Sequence, residues 1–184
     1  MTTLRRLIAP GSLSAVLGFL AACNLPEPQA DAVRNFTLST PVADAPVAGA
    51  VQVRPVLVAG HLHGRPMAVR VAEHEVVYLD EVRWAEPLDE AITQQLRGRL
   101  GAVAGGAIVA VSVQRCELDR SAGNRVQLAA TYTITPAAGG PGQRGAFTAT
   151  PRAWDGKDYG ALVGLLHDAV AELGDAIAAA VEKK

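Results

Sequence analysis

The chain has 184 residues, with 17 basic and 18 acidic side chains and a formal net charge of −1. It lacks the basic excess that draws a protein to nucleic acid or to anionic headgroups, so neither partner is expected. The length suits one domain with a sizeable core.

Residues 1–22 read as a lipoprotein signal peptide. Arg5 and Arg6 form a basic start, Leu13 to Leu20 an apolar run shortened in front by Pro10-Gly11, and Leu20-Ala21-Ala22 a small-residue cleavage site. Cys23 follows directly, which makes the stretch a bacterial lipobox. In proteins with this pattern the thiol takes a diacylglyceryl group, and cleavage leaves an amine that is acylated in turn, palmitate being an expected acyl group. Three chains, at about 0.8 kcal/mol per buried CH₂, hold far more firmly than one. No other cofactor is expected. Without residues 1–22 the chain keeps 15 basic against 18 acidic residues, a net of −3. No other stretch reaches the roughly 18–20 apolar residues that span a bilayer, so the lipid is the expected anchor. With Cys23 acylated, Cys116 stands alone in an apolar-rich strand and reads as a small buried hydrophobe.

Residues 23–35 are the acylated cysteine and its tether. Pro26 and Pro28 favour extended geometry, with a reach of at most about 40 Å. Asn24 bears on sorting. In enteric-type bacteria aspartate at that position retains a lipoprotein in the inner membrane and asparagine does not. The expected place is the outer membrane, with the domain facing the periplasm.

Residues 36–184 are expected to form a single domain. Phe36-Thr37-Leu38 is a short strand, and Val51 to Val58 is strand-like with Pro55 marking an edge or a bulge. Met67 to Ala72 and Glu75 to Leu79 suggest a hairpin with His74 near the turn. Pro87 opens a helix whose Leu88, Ile92, Leu96 and Leu100 form one apolar stripe over polar Gln94, Gln95, Arg97 and Arg99, with Trp84 as an anchor just ahead. Ile108 to Val113 is continuously apolar, as in a strand covered on both faces, and then alternates outward through Arg115 and Glu117. Ser121 to Asn124 is a turn. Val126, Leu128, Ala130, Tyr132 and Ile134 mark a half-buried strand, and Gly145 to Arg152 another. Tyr159, Leu162, Val163, Leu166, Val170, Leu173, Ile177 and Val181 follow a helical period for six turns, capped by Asp155 or Asp158. The fold class expected is α+β, an antiparallel-rich mixed sheet with two amphipathic helices packed on one face.

Several of these stretches, taken in order, resemble the ABC-type transport auxiliary lipoproteins of the PqiC/YmbA type. They are Cys23, Phe36-Thr37-Leu38, Arg65-Pro66 with Val69-Arg70, Arg83-Trp84-Ala85-Glu86-Pro87-Leu88, Val111-Ser112-Val113, Val126 to Ala129, and Asp158-Tyr159. The Arg83 to Leu88 stretch is the most specific. Cys116 stands where an aromatic is expected and Tyr132 where a tryptophan is common, and Ala59 to Gly64 is less typical. The resemblance implies a non-enzymatic companion of the MCE ("mammalian cell entry") lipid-transport systems. Such a lipoprotein docks a periplasm-spanning MCE-domain protein at the outer membrane, supports membrane integrity, and forms a symmetric homo-oligomer. Arg83, Trp84 and Glu86 are the candidate partner-binding residues, against the plainer alternative that Trp84 is core and the two charges steady the helix start. A periplasmic lipid carrier and a structural envelope lipoprotein without a transport partner are the alternatives.

Catalytic patterns are missing. After residue 22 the serines are Ser39, Ser112 and Ser121, none in Gly-x-Ser-x-Gly, and no His-Glu-x-x-His occurs. His61-x-His63, with His74 and Glu75 downstream, is the one metal-like spacing, and in a glycine-flanked turn it reads as solvated loop; no metal is expected.

Overall fold

The computed structural model describes residues 32–39 and 46–183. The signal peptide, Cys23 and most of the tether lie outside the described residues, as does part of the loop after Leu38.

Among the described residues nine strands make one mixed sheet: β1 (Arg34–Phe36), β2 (Gln52–Val53), β3 (Leu57–Val58), β4 (Pro66–Ala72), β5 (Glu75–Trp84), β6 (Ala107–Asp119), β7 (Arg125–Pro136), β8 (Gln143–Thr148) and β9 (Arg152–Ala153). The order is β1-β5-β4-β6-β7-β8, with β2 and β3 on β6 and β9 on β7. The hairpins β4–β5, β6–β7 and β7–β8 are antiparallel. β1 runs parallel to β5, and β2, β3 and β4 run parallel to β6. The helices are α1 (Leu88–Leu100) and α2 (Tyr159–Glu182), which pack on each other, α1 over β2 and β3 and α2 along β7. The expected α+β class stands.

Both helical stripes close on the sheet. Leu88, Ile92, Leu96 and Leu100 of α1, and Leu162, Leu166, Leu173 and Ile177 of α2, are fully buried or nearly so. Asp158 caps α2 by accepting from the Gly160 and Ala161 N–H groups at 2.9 and 3.2 Å, which gives two orphan donors a partner. Trp154 locks the same turn: its ring is buried, packs on Tyr159 at 5.2 Å, and donates from Nε1 to the Asp158 carbonyl at 2.8 Å. Gly174 lets the helices approach, since a Cβ there would sit 2.8 Å from Arg99 Cδ. Among the described residues no helix is long and apolar enough to cross a membrane.

Four local expectations change. The strand expected at Phe36-Thr37-Leu38 lies two residues earlier: β1 runs Arg34–Phe36 because Arg34, Asn35 and Phe36 take up register with Val82, Arg83 and Trp84, and Thr37 and Leu38 follow outside the strand. The run Ile108 to Val113 is covered on one face only: Val109, Val111 and Val113 are buried beneath the helices, while Ile108, Ala110 and Ser112 on the other face are half-buried. The strand expected from Gly145 to Arg152 splits into β8 and β9 at Pro151, which has no N–H to give the ladder. Gln95, expected on a polar face, is buried and donates to the His167 carbonyl at 2.7 Å across the helix pair.

Pro55 interrupts the β2–β3 segment, and α1 closes the gap. The Val56 N–H donates to Thr93 Oγ1 at 2.9 Å, the Thr93 hydroxyl donates to the Asp89 carbonyl at 2.6 Å, and Arg97 Nε reaches the Val53 carbonyl at 3.2 Å. Thr93 is thus buried with both hydroxyl functions used. Thr93→Val keeps the shape and leaves the Val56 N–H buried without an acceptor. It is expected to cost about 1–3 kcal/mol in chemical denaturation, while Thr93→Ser retains most of the stability.

Candidate functional site

Two places concentrate polar chemistry. The first is the junction from β5 to α1, which carries Arg83, Trp84 and Glu86. Phe36 of β1 lies beside Trp84, the Ala85 N–H donates to the Phe36 carbonyl at 2.8 Å, and the Trp84 N–H donates to the Arg65 carbonyl at 2.7 Å. The Trp84 residue is 3% exposed and belongs to the core. Arg83 is half-buried, with Nε donating to the Asp80 carbonyl at 2.9 Å. Glu86 Oε1 accepts from the Ser39 hydroxyl at 2.6 Å and more weakly from the Ser39 N–H at 3.4 Å. His167 Nδ1 lies 3.1 Å from the Leu38 carbonyl. The junction therefore seats residues 34–39 where the chain enters the fold. Its accessible surface comes from Arg83 and its exposed neighbours Asp80, Glu81, Ala85 and Pro87.

The second place is on the sheet face opposite the helices. Gln114 is an extra residue in β6, since Val113 pairs with Ala130 and Arg115 with Ala129. This bulge reverses the side-chain parity. Cys116 and Leu118 then point to the helices, and Arg115, Glu117 and Asp119 to the other face. The Glu117 carboxylate is fully buried there. It accepts from Arg70 Nε at 2.6 Å and Arg115 Nε at 3.1 Å, and His61 Nε2 lies 3.0 Å from its second oxygen. Asp119 is bound by Arg115 Nη2 at 2.9 Å, Gln127 Nε2 at 3.1 Å, the Ser121 hydroxyl at 2.6 Å and the Ala122 N–H at 3.0 Å. Burial works against the charge on Asp119. The Ser121 and Ala122 hydrogen bonds and the Arg115 guanidinium outweigh it and hold the carboxyl below its usual range. Two arginines balance two carboxylates, and each carboxylate is fully partnered, so the cluster is a charge clamp that ties β4, β6, β7 and the turn at Gly60–Leu62 together.

The histidines are dispersed. His61 is engaged by Glu117, His63 is exposed, and His74 is exposed in the two-residue β4–β5 turn. Among the described residues no group of three or more His, Cys, Asp or Glu is placed to hold a metal ion. Cys116 is buried against the helices, and burial first, with the Glu117 charge second, pushes its thiol up to about 12. A thiol protonated at neutral pH is a poor nucleophile. Cys116 behaves as the small core hydrophobe that its strand suggested.

The β6 alternation signalled that Arg115 and Glu117 face outward. Missing was the burial of Glu117, because its partners Arg70 and His61 come from segments far away in sequence. Trp154 was missed as well: it lies outside both helical stripes, and its role depends on a hydrogen bond to the α2 cap.

The model of the ABC-type transport auxiliary lipoprotein component matches residues 36–178. The chain belongs to this family of transport auxiliary lipoproteins, which is not an enzyme family. Among solved structures, the chain is similar to an uncharacterized protein at 18% identity and a TM-score of 0.65, covering 80% of this chain and 97% of that one. It is also similar to protein XCC0632 from Xanthomonas campestris at 18% identity and a TM-score of 0.60, covering 79% and 88%. These likenesses show the shared fold. No curated protein matches the sequence. For this transport auxiliary lipoprotein the clamp is a structural centre, and its energetics are open to test. Glu117→Gln removes the countercharge of Arg70 and Arg115 and is expected to destabilise by about 3 kcal/mol in urea unfolding. Asp119→Asn tests the pH linkage. The Asp119 carboxyl sits lower in the folded state than the unfolded value of about 3.9, so its contribution is present above that pH and fades as pH falls through the folded value. The variant should melt below the parent at pH 7, and the gap should narrow as the pH is taken below about 4.

Proposed function

We propose that this lipoprotein is the outer-membrane component of an MCE/ABC-type envelope lipid-transport system, where it docks the periplasm-spanning MCE-domain protein and supports membrane integrity without catalysis. The observation that carries the proposal is the family match over residues 36–178. In this reading residues 1–22 are removed as a signal peptide, Cys23 carries the lipid, palmitate among its acyl groups, and the residues between Cys23 and the start of β1 at Arg34 tether the domain. Asn24 supports sorting to the outer membrane. A membrane anchor confines the domain to a thin layer and raises its effective concentration against the tip of the bridge, so a modest intrinsic affinity suffices. A symmetric homo-oligomer would match the ring symmetry of MCE assemblies. Around the β5–α1 junction, Arg83 offers the accessible contact, while Trp84 and Glu86 hold the backbone that presents it.

The alternative of a lipid carrier needs a concave apolar pocket between sheet and helices. The apolar stripes of α1 and α2 meet the sheet as filled core, with Leu162, Leu166, Leu173 and Ile177 at 0% exposure, which favours docking over carriage.

In-cell crosslinking of the lipidated protein, followed by mass spectrometry, tests the docking role. An MCE-domain protein is expected among the crosslinked species and should disappear in Cys23→Ala. Crosslinks only to unrelated envelope proteins, or phospholipid copurifying with the delipidated chain in place of an MCE partner, would overturn it.

A further inference from the structure

The edge of β2 that faces α1 is only partly closed. The Arg54 N–H donates to the Val109 carbonyl at 2.9 Å and Gln52 pairs with Ile108, so Gln52 and Arg54 bond toward β6. The backbone groups of Val51 and Val53 then point outward. Two of these four groups are taken. The Val51 N–H donates to the Val103 carbonyl at 3.0 Å, and Arg97 Nε donates to the Val53 carbonyl at 3.2 Å. Between them, the Val51 carbonyl and the Val53 N–H have no partner among the described residues. They lie in the floor of a groove of about 520 Å³ between α1 and the loop that leads into β2. Pro46, Val47 and Ala50 give it an apolar wall, and Arg97 is the charged side chain of its lining. The wall is formed in advance. The Val47 N–H donates to the Gly101 carbonyl at 2.9 Å, the Gly106 N–H donates to the Gly49 carbonyl at 2.9 Å, and Val47 stays 43% exposed. Among the described residues no carboxylate pairs with Arg97, whereas Arg99, two residues on, is held by Asp175. Both Nη groups of Arg97 are left without an acceptor.

We propose that this groove takes an extended segment of a partner protein with the order apolar residue, any residue, acidic residue. The choice of occupant rests on charge complementarity and on the open edge. A residue lying parallel beside Gln52 donates to the Val51 carbonyl and accepts from the Val53 N–H, which completes the edge as an added strand. Its side chain shares the face of Gln52, and its two neighbours turn to the α1 side, because side chains alternate along a strand. The preceding neighbour then lies toward Val47 and the following one toward Arg97. The spacing agrees. Val47 is pinned at Gly101, one helical turn of about 5.4 Å beyond Arg97, and alternate strand residues stand about 6.6 Å apart. A carboxylate on the following residue accepts from the free Nη groups of Arg97, a fork that lysine cannot offer. Asp89 and Glu90 lie farther along α1 in a second hollow with Pro55 and Val56, and they repel an acid placed there, which fixes the acid at Arg97. The groove also stands clear of the tether. Through β5 and β4, β1 runs antiparallel to β6, so the chain enters from the Asp119 side, and β2 sits at the Ile108 end. The inference rests on the docking reading for the source of the segment, the MCE-domain protein.

The test uses the full lipoprotein in intact cells, with the photocrosslinker p-benzoylphenylalanine in place of Ala48, an exposed residue beside the groove wall. The MCE-domain protein is expected on the crosslink, and mass spectrometry should place the joined peptide at an apolar-any-acidic sequence. Arg97→Glu should lower the yield about tenfold or more and Arg97→Lys several-fold, with melting temperatures little changed. Exchanging the acid of that peptide for arginine should restore the yield in Arg97→Glu. A crosslink from position 48 that is indifferent to Arg97→Glu, or a joined peptide without an acid, would overturn the proposal. Recovery of the MCE-domain protein with a lysine-reactive reagent, but never from position 48, would overturn it while leaving the docking role intact. Absence of the MCE-domain protein from both experiments overturns the docking role and this inference together.

Discussion

One extra residue in β6 decides where the charge of this protein goes. Upstream of Gln114 the odd positions Val109, Val111 and Val113 feed the core, and downstream the even positions Cys116 and Leu118 do. A regular strand would have turned Arg115, Glu117 and Asp119 onto the helices, against two apolar stripes with no partner to offer them. The bulge exchanges that for a face on which Arg70 from β4 and Gln127 from β7 already stand. It also falls where the partner along that edge of β6 changes from β3 to β4, so that His61, in the turn between them, reaches Glu117.

The result is a two-layer domain with one apolar interior and a second, ionic interior on the sheet's outer face. The first is held by area and packing, the second by a fixed set of donors and acceptors, and the two differ in what they tolerate. A leucine in the α2 stripe can be exchanged for another aliphatic at modest cost, whereas any single member of the Glu117 cluster is needed by the others. Unequal treatment of edges follows the same logic. Where α1 is near, its side chains satisfy backbone groups, and at β8, where it is not, the ladder of described strands ends.

Local pattern carried most of the architecture. The α1 and α2 stripes, the β4–β5 and β6–β7 hairpins and the Asp158 cap were all legible because each depends on residues a few positions apart. Pro55 correctly announced an interruption, but not that Thr93 would fill it, since that bond joins residues far apart in sequence. The Arg83 to Leu88 stretch was conspicuous as sequence, with Trp84 as core one of its two readings, yet its work of seating Ser39 and Phe36 was not legible, because those contacts join residues far apart in sequence. Glu117 was read as outward-facing, which is right for the sheet, and its loss of solvent came only with the turn that folds over it. Gln95 broke the polar side of its helix for a similar reason: the second helix arrives there.

The parallel seam on β6 has a kinetic side. The hairpins β4–β5, β6–β7 and β7–β8 join neighbours in sequence, and α2 follows them directly. By contrast, Gln52 must find Ile108 and Leu57 must find Ser112, each across an intervening hairpin and helix. Closing such long loops costs entropy before any contact is made, and parallel pairing of this kind sets the pace of folding. The seam is therefore expected to be the slow step in folding, with the segment from Val47 to Gly64 joining a hairpin layer built from more local pairs.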